Sequence, residues 1–221
     1  PETTGSNHTA VKISSRTRLS YKQICRRARL KICSQNCQGL SSHTKFEALV
    51  DTLLQRNVFA CGVQELWRVG KETLRRKTYT ALLTGESTRS CNRGSKGVGI
   101  FLNKLATDAW RRAQDEGPAL FDTFGARVMA VRMIVKTHED KDQGLFLMSV
   151  YAPTSSHSAT EREAFWSDVE RCLNCKQKDD VPIICGDWNA DLGTDTDGDS
   201  QICGPFGLPR GTRMGKEFAN W

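Results

Sequence analysis

The apolar run at residues 181–185 passes straight into Gly186-Asp187-Trp188-Asn189. A short apolar run bounded by turn residues reads as a buried strand, and the polar residues that follow sit where the chain leaves the core. Three more runs share this form. Residues 30–35 lead to Asn36, residues 58–63 to Gln64-Glu65, and the run over residues 145–151 closes on Tyr151. Between the first two, Phe46, Leu49, Val50, Leu53 and Leu54 repeat at helical spacing over residues 43–55. Ahead of the 181–185 run, Ser158-Ala159-Thr160-Glu161 forms a capping box, and the helix it opens carries Phe165, Trp166, Val169, Cys172 and Leu173 along one face. Strand, helix, strand in that order predicts a layered domain of α/β or α+β type. Further strands are expected at residues 79–83, 98–102 and 128–135, a charged hairpin loop at 137–144, a long Gly/Asp/Pro loop at 193–212, and a helix start near Met214.

With 221 residues the chain can bury one sizeable core. It opens on Pro1 rather than Met and stops at Trp221 within a helical pattern, so a fragment of a longer protein is expected. Residues 1–28 are polar, then basic, and read as a flexible arm, leaving residues 29–221 as the folded domain. Net charge is +7, unevenly spread: residues 1–112 hold 21 Lys/Arg against 7 Asp/Glu, and residues 113–221 hold 11 against 18. A basic half beside an acidic half suits a polyanion-binding face next to a carboxylate-lined metal site. Arg26, Arg27, Arg29, Arg75, Arg76 and Lys77 are the candidate nucleic-acid contacts; as an alternative they are a solvated surface. The nine cysteines are scattered without a compact framework, which fits a reducing compartment inside the cell. No secretory segment and no run long enough to span a bilayer is present, so no membrane partner is expected.

The polar strand ends define a chemistry. Residues i and i+2 of an extended chain face the same way, so Asp187 and Asn189 are expected on one side. Alone, Asp-x-Asn is common in turns. Together with Asn36, Glu65 and Tyr151 it suits attack on a phosphate. Glu65 is the candidate ligand for a hard cation such as Mg²⁺, which often binds through one or two carboxylates. Asp187 would orient a water, Asn189 and Asn36 would fix its geometry, and the Tyr151 hydroxyl would donate to a phosphate oxygen.

In order along the chain stand KICSQNCQGL, CGVQELW, SKGVGIFLN, RVMAVRMIV, MSVYAPTS and IICGDWNADLG. This series resembles the endonuclease/exonuclease/phosphatase superfamily from about Leu30 onward. It is most similar to apurinic-type endonuclease domains of non-long-terminal-repeat retrotransposons and to craniofacial development protein 2-like relatives. The resemblance implies a two-sheet α/β sandwich, incomplete at its carboxyl end, and Mg²⁺- or Mn²⁺-dependent cleavage of a phosphodiester in DNA. It puts Asn36, Glu65, Tyr151, Asp187 and Asn189 on active-site positions and makes Arg127 a structural residue. It also implies a nuclear location and a reverse transcriptase domain downstream. Two departures stand out. Gln38 occupies a position where repair enzymes of this kind carry Asp, and the family's later Asp and Ser-Asp-His motifs do not occur, which implies that the fragment lacks the full catalytic set.

Of the four histidines, His157 alone lies near the predicted site, and His8, His43 and His138 read as surface residues. Cys172-x-x-Cys175 lacks a second pair and reads as packing. Asp195-x-Asp197-x-Asp199 lacks the Gly and Glu of a calcium loop. Gly97 and Gly99 suit close strand packing. Trp67, Trp110 and Trp166 are core candidates, and Trp188 is expected to point away from Asp187 and anchor the turn. The expected function is a metal-dependent DNA endonuclease. The alternatives are a phosphatase acting on inositol phosphates or phospholipids, and a non-catalytic nucleic-acid or chromatin-binding module on the same fold.

Overall fold

The computed structural model describes residues 30–86, 96–193 and 211–221. The proposed arm over residues 1–28, His8 and the Asp195 to Asp199 loop lie outside the described residues. In chain order the elements are β1 (Ile32–Asn36), α1 (His43–Gln55), β2 (Ala60–Gln64), β3 (Gly70–Arg75), β4 (Tyr79–Gly85), β5 (Val98–Asn103), α2 (Lys104–Glu116), β6 (Leu120–Phe121), β7 (Val128–Lys136), β8 (Asp142–Tyr151), α3 (Ala159–Leu173), β9 (Val181–Asp187) and α4 (Arg213–Asn220).

Alternation within the strands builds the layers. Along β5, Ile100 and Leu102 face one side while Phe101 faces the other. Along β8, Leu145 and Leu147 face inward with Met129, Val131 and Met133 of β7, and Phe146, Met148 and Val150 face outward. A period of two apolar residues on both faces means that both faces are covered. The strands therefore form two sheets in the orders β1-β2-β5-β4-β3 and β6-β7-β8-β9, packed face to face. Helix α1 covers the outer face of the first sheet through Phe46, Val50 and Leu53. Helices α3 and α4 cover the second through Phe165, Val169, Cys172 and Met214. The result is the two-sheet α/β sandwich. Among the described residues no helix is long and apolar enough to cross a membrane.

Two parallel pairs orient the molecule. β1 pairs β2 across α1, and β8 pairs β9 across α3. A parallel pair joined by a helix delivers both strand ends to the same side. Asn36 and Glu65 thus leave one sheet where Tyr151 and Asp187 leave the other. The sheets approach closely at Gly62, where an added Cβ would stand 2.6 Å from Cys185 Cβ. Below the strand ends a polar ladder crosses the interface. Ser34 Oγ donates to Gln64 Oε1 (3.1 Å), Gln64 Nε2 donates to Ser149 Oγ (3.1 Å), and Ser149 Oγ donates to the Val63 carbonyl (3.2 Å). Gln64 and Ser149 are buried, and each has its partner.

The far end of the sandwich is closed by charge. Arg132 of β7 and Asp180, just before β9, are both buried, and the guanidinium Nε meets both carboxylate oxygens at 3.0–3.1 Å. Arg132 also donates to Glu116 at the end of α2 (2.9 Å). Gly144 leaves the room this pair needs, since a Cβ there would lie 1.7 Å from Asp180 Oδ1. Removing Asp180 leaves Arg132 with the exposed Glu116 alone. Asp180→Ala is expected to cost about 1.5–3 kcal/mol, read as a lowered midpoint in urea unfolding. An unchanged midpoint would mean that water relieves Arg132.

Candidate active site

The side chains singled out at the strand ends meet through one amide. Asn36 Nδ2 donates to Glu65 Oε1 at 2.8 Å and to Asp187 Oδ2 at 2.7 Å. Both hydrogens of the amide are used on carboxylates from different sheets. Asn36 Oδ1 accepts from the Gln38 backbone N–H (3.1 Å), which fixes the orientation of the group. Asp187 is held on its other oxygen by the Asn189 backbone N–H (3.0 Å).

Asn189 comes to the site by a route different from the one expected. The strand ends at Asp187, and Asn189 has φ 45°, so the two residues are not neighbours on an extended chain. An Asx turn closes instead, with the Asp187 side chain capping the Asn189 amide. The Asn189 side chain then donates to the Ala152 carbonyl (2.7 Å), and the Ala152 N–H donates to the Asp187 carbonyl (2.8 Å). The ends of β8 and β9 are thereby cross-linked beyond their last paired residues.

Left-handed backbone recurs around these residues. Gln38, Glu65, Trp67 and Asn189 have φ between 45° and 55°, and Gly39 has φ 96°. Such conformations cost roughly 1 kcal/mol or more per side-chain-bearing residue and persist where surrounding bonds over-determine them. Here the bonds are Gly39 N to Glu65 O, Leu40 N to Leu66 O and Trp67 N to Lys96 O, at 2.8–3.0 Å. The Trp67 indole lies on Gly39, where a Cβ would come within 2.6 Å of it.

Tyr151 is clamped by Arg127. The Tyr151 N–H donates to the Arg127 carbonyl (2.8 Å), and Arg127 Nη1 donates to the Tyr151 carbonyl (3.1 Å). The guanidinium carbon stands 5.1 Å from the centre of the Tyr151 ring. Burial, then the Glu65 carboxylate, hold the Tyr151 phenol above its ordinary range, and Arg127 opposes them. The phenol stays a donor at neutral pH. His157 serves this clamp. Its Nδ1 accepts from the Thr154 N–H (3.1 Å), and its Nε2 is 3.3 Å from Arg127 Nη2. The side chains of His43 and His138 are 87% and 84% exposed, as surface histidines should be.

Sequence reading missed the Ser34, Gln64, Ser149 ladder. Its signal was present, since a Gln inside an otherwise apolar run requires a partner. Trp188 does point away from Asp187, stacking on Phe218 (4.5 Å) and Trp166 (5.9 Å). Trp110 is buried, while Trp67 and Trp166 are half-buried. Arg75, Arg76 and Lys77 are not at this site. Gln64 pairs with Val98, whereas Tyr79 pairs with Asn103 at the other end of β5, so the β3–β4 turn stands at the opposite end of the sheet. Arg26, Arg27 and Arg29 lie outside the described residues.

A cavity of about 590 Å³ adjoins Asn36 and Asp187, walled by Ser34, Asn189 and Thr212 among others. Among the described residues no group of three or more His, Cys, Asp or Glu gathers to hold a metal. The oxygen donors that do gather are the carboxylates of Glu65 and Asp187. Hard oxygens without sulfur or imidazole fit a hard cation that completes its shell with water and phosphate.

The model of the Endonuclease/Exonuclease/phosphatase family matches residues 33–219. Craniofacial development protein 2 of Bos taurus is 26% identical over 174 residues, which are 79% of this chain and 26% of that protein. The Tragulus javanicus protein of the same name is 25% identical over 177 residues, 80% of this chain and 28% of that protein. The chain thus spans about a quarter of the length of these curated relatives. Among solved structures, the AP endonuclease LMAP of Leishmania major superposes with a TM-score of 0.53 at 13% identity, covering 86% of this chain and 64% of that one. The APE2 catalytic domain of Xenopus laevis gives 0.50 at 17% identity, covering 77% and 62%. At these identities the structures share the fold.

Cys37, next to Asn36, offers a probe of the site. Burial, then the charge of Glu65, push its thiol up to about 11. Cys175 is exposed. Each unit by which a thiol is raised cuts its thiolate tenfold at lower pH, and greater intrinsic nucleophilicity returns part of the loss. Iodoacetamide at pH 8 should modify Cys175 at least about tenfold faster than Cys37, with Cys37 catching up only as pH approaches its raised value. Peptide mapping by mass spectrometry reads both sites, and equal rates would mean that the site is open to solvent.

Proposed function

The chain belongs to the endonuclease/exonuclease/phosphatase family, whose members are hydrolytic nucleases and phosphatases, and on that footing we propose that it is a metal-dependent DNA endonuclease of retrotransposon type. One observation carries this reading: Asn36 holds the Glu65 and Asp187 carboxylates together from two sheets. Glu65, which Asn36 and the Tyr151 phenol both reach, would hold Mg²⁺ or Mn²⁺, and the cation would supply positive charge against the phosphate and the departing oxygen. Asp187, fixed on both oxygens, keeps an unshared lone pair to accept a proton from a water aligned with the phosphorus. Asn36 and Asn189 hold that carboxylate at one angle. Tyr151, kept protonated by its surroundings and immobile by Arg127, donates to a phosphate oxygen as charge develops there. DNA as the substrate rests on the similarity of the motif series to retrotransposon-type endonuclease domains, which also implies a nuclear location and, in the parent protein, a reverse transcriptase domain downstream.

Gln38, neutral as in the similar retrotransposon domains, leaves the cation site to depend more heavily on Glu65. The second reading is a nucleic-acid-binding module that has lost catalysis. Supercoiled plasmid with Mg²⁺ separates the two. The protein at its full natural length is expected to nick it, and Glu65→Ala or Asp187→Ala should each lower the rate at least about a hundredfold. Mn²⁺ binding followed by electron paramagnetic resonance should be lost in Glu65→Ala and kept in Tyr151→Phe. Undiminished nicking in both carboxylate variants removes the mechanism. Salt-sensitive DNA binding without cleavage gives the module, and preference for an inositol phosphate over plasmid gives a phosphatase.

A further inference from the structure

The end of the first sheet remote from Glu65 carries its own construction. The turn between β3 and β4 presents Arg75, Arg76 and Lys77, all exposed. Arg56, after α1, and Lys31, before β1, join them, the Lys31 ammonium donating to the Arg56 carbonyl (3.2 Å). Between Lys77 and Lys104 opens a cavity of about 410 Å³. Leu54, Val58 and Leu105 line it, and Lys77 and Lys104 stand among its walls. The floor is rigid. Asn103 Nδ2 donates to the Val58 carbonyl (2.9 Å), the Val58 N–H donates to the Leu53 carbonyl (2.9 Å), and Asn57 turns the chain with φ 53°. Of the nearby acids, Asp108 is tied to Lys104 and Arg111, and Glu47 and Asp51 lie on the α1 side near Tyr79 and Arg76. Positive charge is in excess.

We propose that this end of the sandwich is a docking surface for an acidic peptide segment that carries an apolar anchor. The chemistry of the surface selects that occupant. An aliphatic cavity takes a leucine or aromatic side chain, and the surrounding ammonium and guanidinium groups take carboxylates on either side of it. A polynucleotide would satisfy the cations only. Its bases would face methyl groups that give neither a stacking surface nor a hydrogen-bonding edge. The chain's own residues 1–29 do not fit, since they carry seven Lys/Arg against one Asp/Glu. Because strands β2 and β5 separate this surface from Glu65, an occupant leaves the strand-end site open. Docking here would hold the protein at a location while its site works. The inference stands whether or not the strand-end site is catalytic.

A fluorescein-labelled peptide of twelve residues, with Glu or Asp on both sides of a central Leu-Phe pair, serves as the probe. Fluorescence anisotropy with the full chain should give saturable binding that weakens with salt. Lys77→Glu combined with Arg76→Glu should weaken it at least about tenfold. Thr78→Trp, which fills the cavity mouth from an exposed position, should do the same, as should an Ala-Ala pair in the peptide. The three substituted protein positions are exposed and the other two belong to the probe, so loss of fold does not enter. Binding that ignores the central pair or the Thr78→Trp change overturns the proposal. So does an oligonucleotide whose binding, unlike that of the peptide, is lost with the two charge reversals, which would make the surface a phosphate contact.

Discussion

One primary amide joins two carboxylates that would otherwise repel each other. Asn36 can do so because its two hydrogens diverge at a fixed angle and its oxygen is already committed to the backbone. Carboxylates from two separate sheets are therefore kept within the span of a single side chain. That arrangement tolerates little slack, because a shift of one sheet against the other by a fraction of an ångström breaks a bond. The interior answers that demand. Gly62 lets the sheets close on Cys185, and the chain of hydrogen bonds through Ser34, Gln64 and Ser149 opposes sliding. Apolar packing alone sets spacing but not register, since methyl groups slip past one another without directional cost.

The same demand explains the backbone. A strand end that simply frayed into solvent would leave Glu65 and Asn189 free to rotate. Instead the chain turns sharply at both, into conformations that side-chain-bearing residues avoid. Backbone hydrogen bonds between the loop after β1 and the loop after β2 offset the cost, and the indole of Trp67 on Gly39 occupies the space between them. Tyr151 receives equivalent treatment from Arg127, whose guanidinium acts through a carbonyl, a ring face and His157 together. Rigidity at the site is thus a product of many ordinary contacts.

How far this was legible in the sequence depends on the element. Helix α1 and the capping box of α3 were visible because large apolar residues repeat at helical spacing and Ser158 precedes Glu161 by three. Helix α2 was not. Its buried face, Ala106, Thr107, Ala109, Trp110 and Ala113, does repeat at helical spacing against a charged opposite face, but its residues are mostly small and Trp110 is the one large apolar side chain among them. The Asn103 cap, accepting from the Ala106 N–H, was its readable mark. Strand β3 has a mostly exposed face and exists because β4 offers it a ladder, which local sequence cannot express. At the site, the residue types were readable while the Asx turn that brings Asn189 round was not. The position of Arg75, Arg76 and Lys77 needed the sheet order, since one reversal of strand direction moves a turn from one end of the molecule to the other.

That separation of ends bears on the chemistry of the strand ends. With the basic turn elsewhere, three of the described basic residues between β2 and β5 on the site side are matched: Arg68 by Glu72, Lys71 by Asp122, and Lys96 by Glu86. The donors that converge at the site, Asn36 and Tyr151, are neutral. A phosphodiester approaching Glu65 and Asp187 meets two negative charges with no free cation from these three residues to compensate. Neutral hydrogen bonds do not offset the approach of like charges in a half-buried place. Under the proposed function, a divalent cation held by Glu65 would offset those two charges and remove the repulsion of phosphate. For the proposed reaction the cation would add its charge to that of Arg127, which lies against the Tyr151 ring, and so would aid substrate binding as well as the chemical step. In that reading Asn36 would serve both, because it holds the carboxylate proposed for the cation and the carboxylate proposed for the proton.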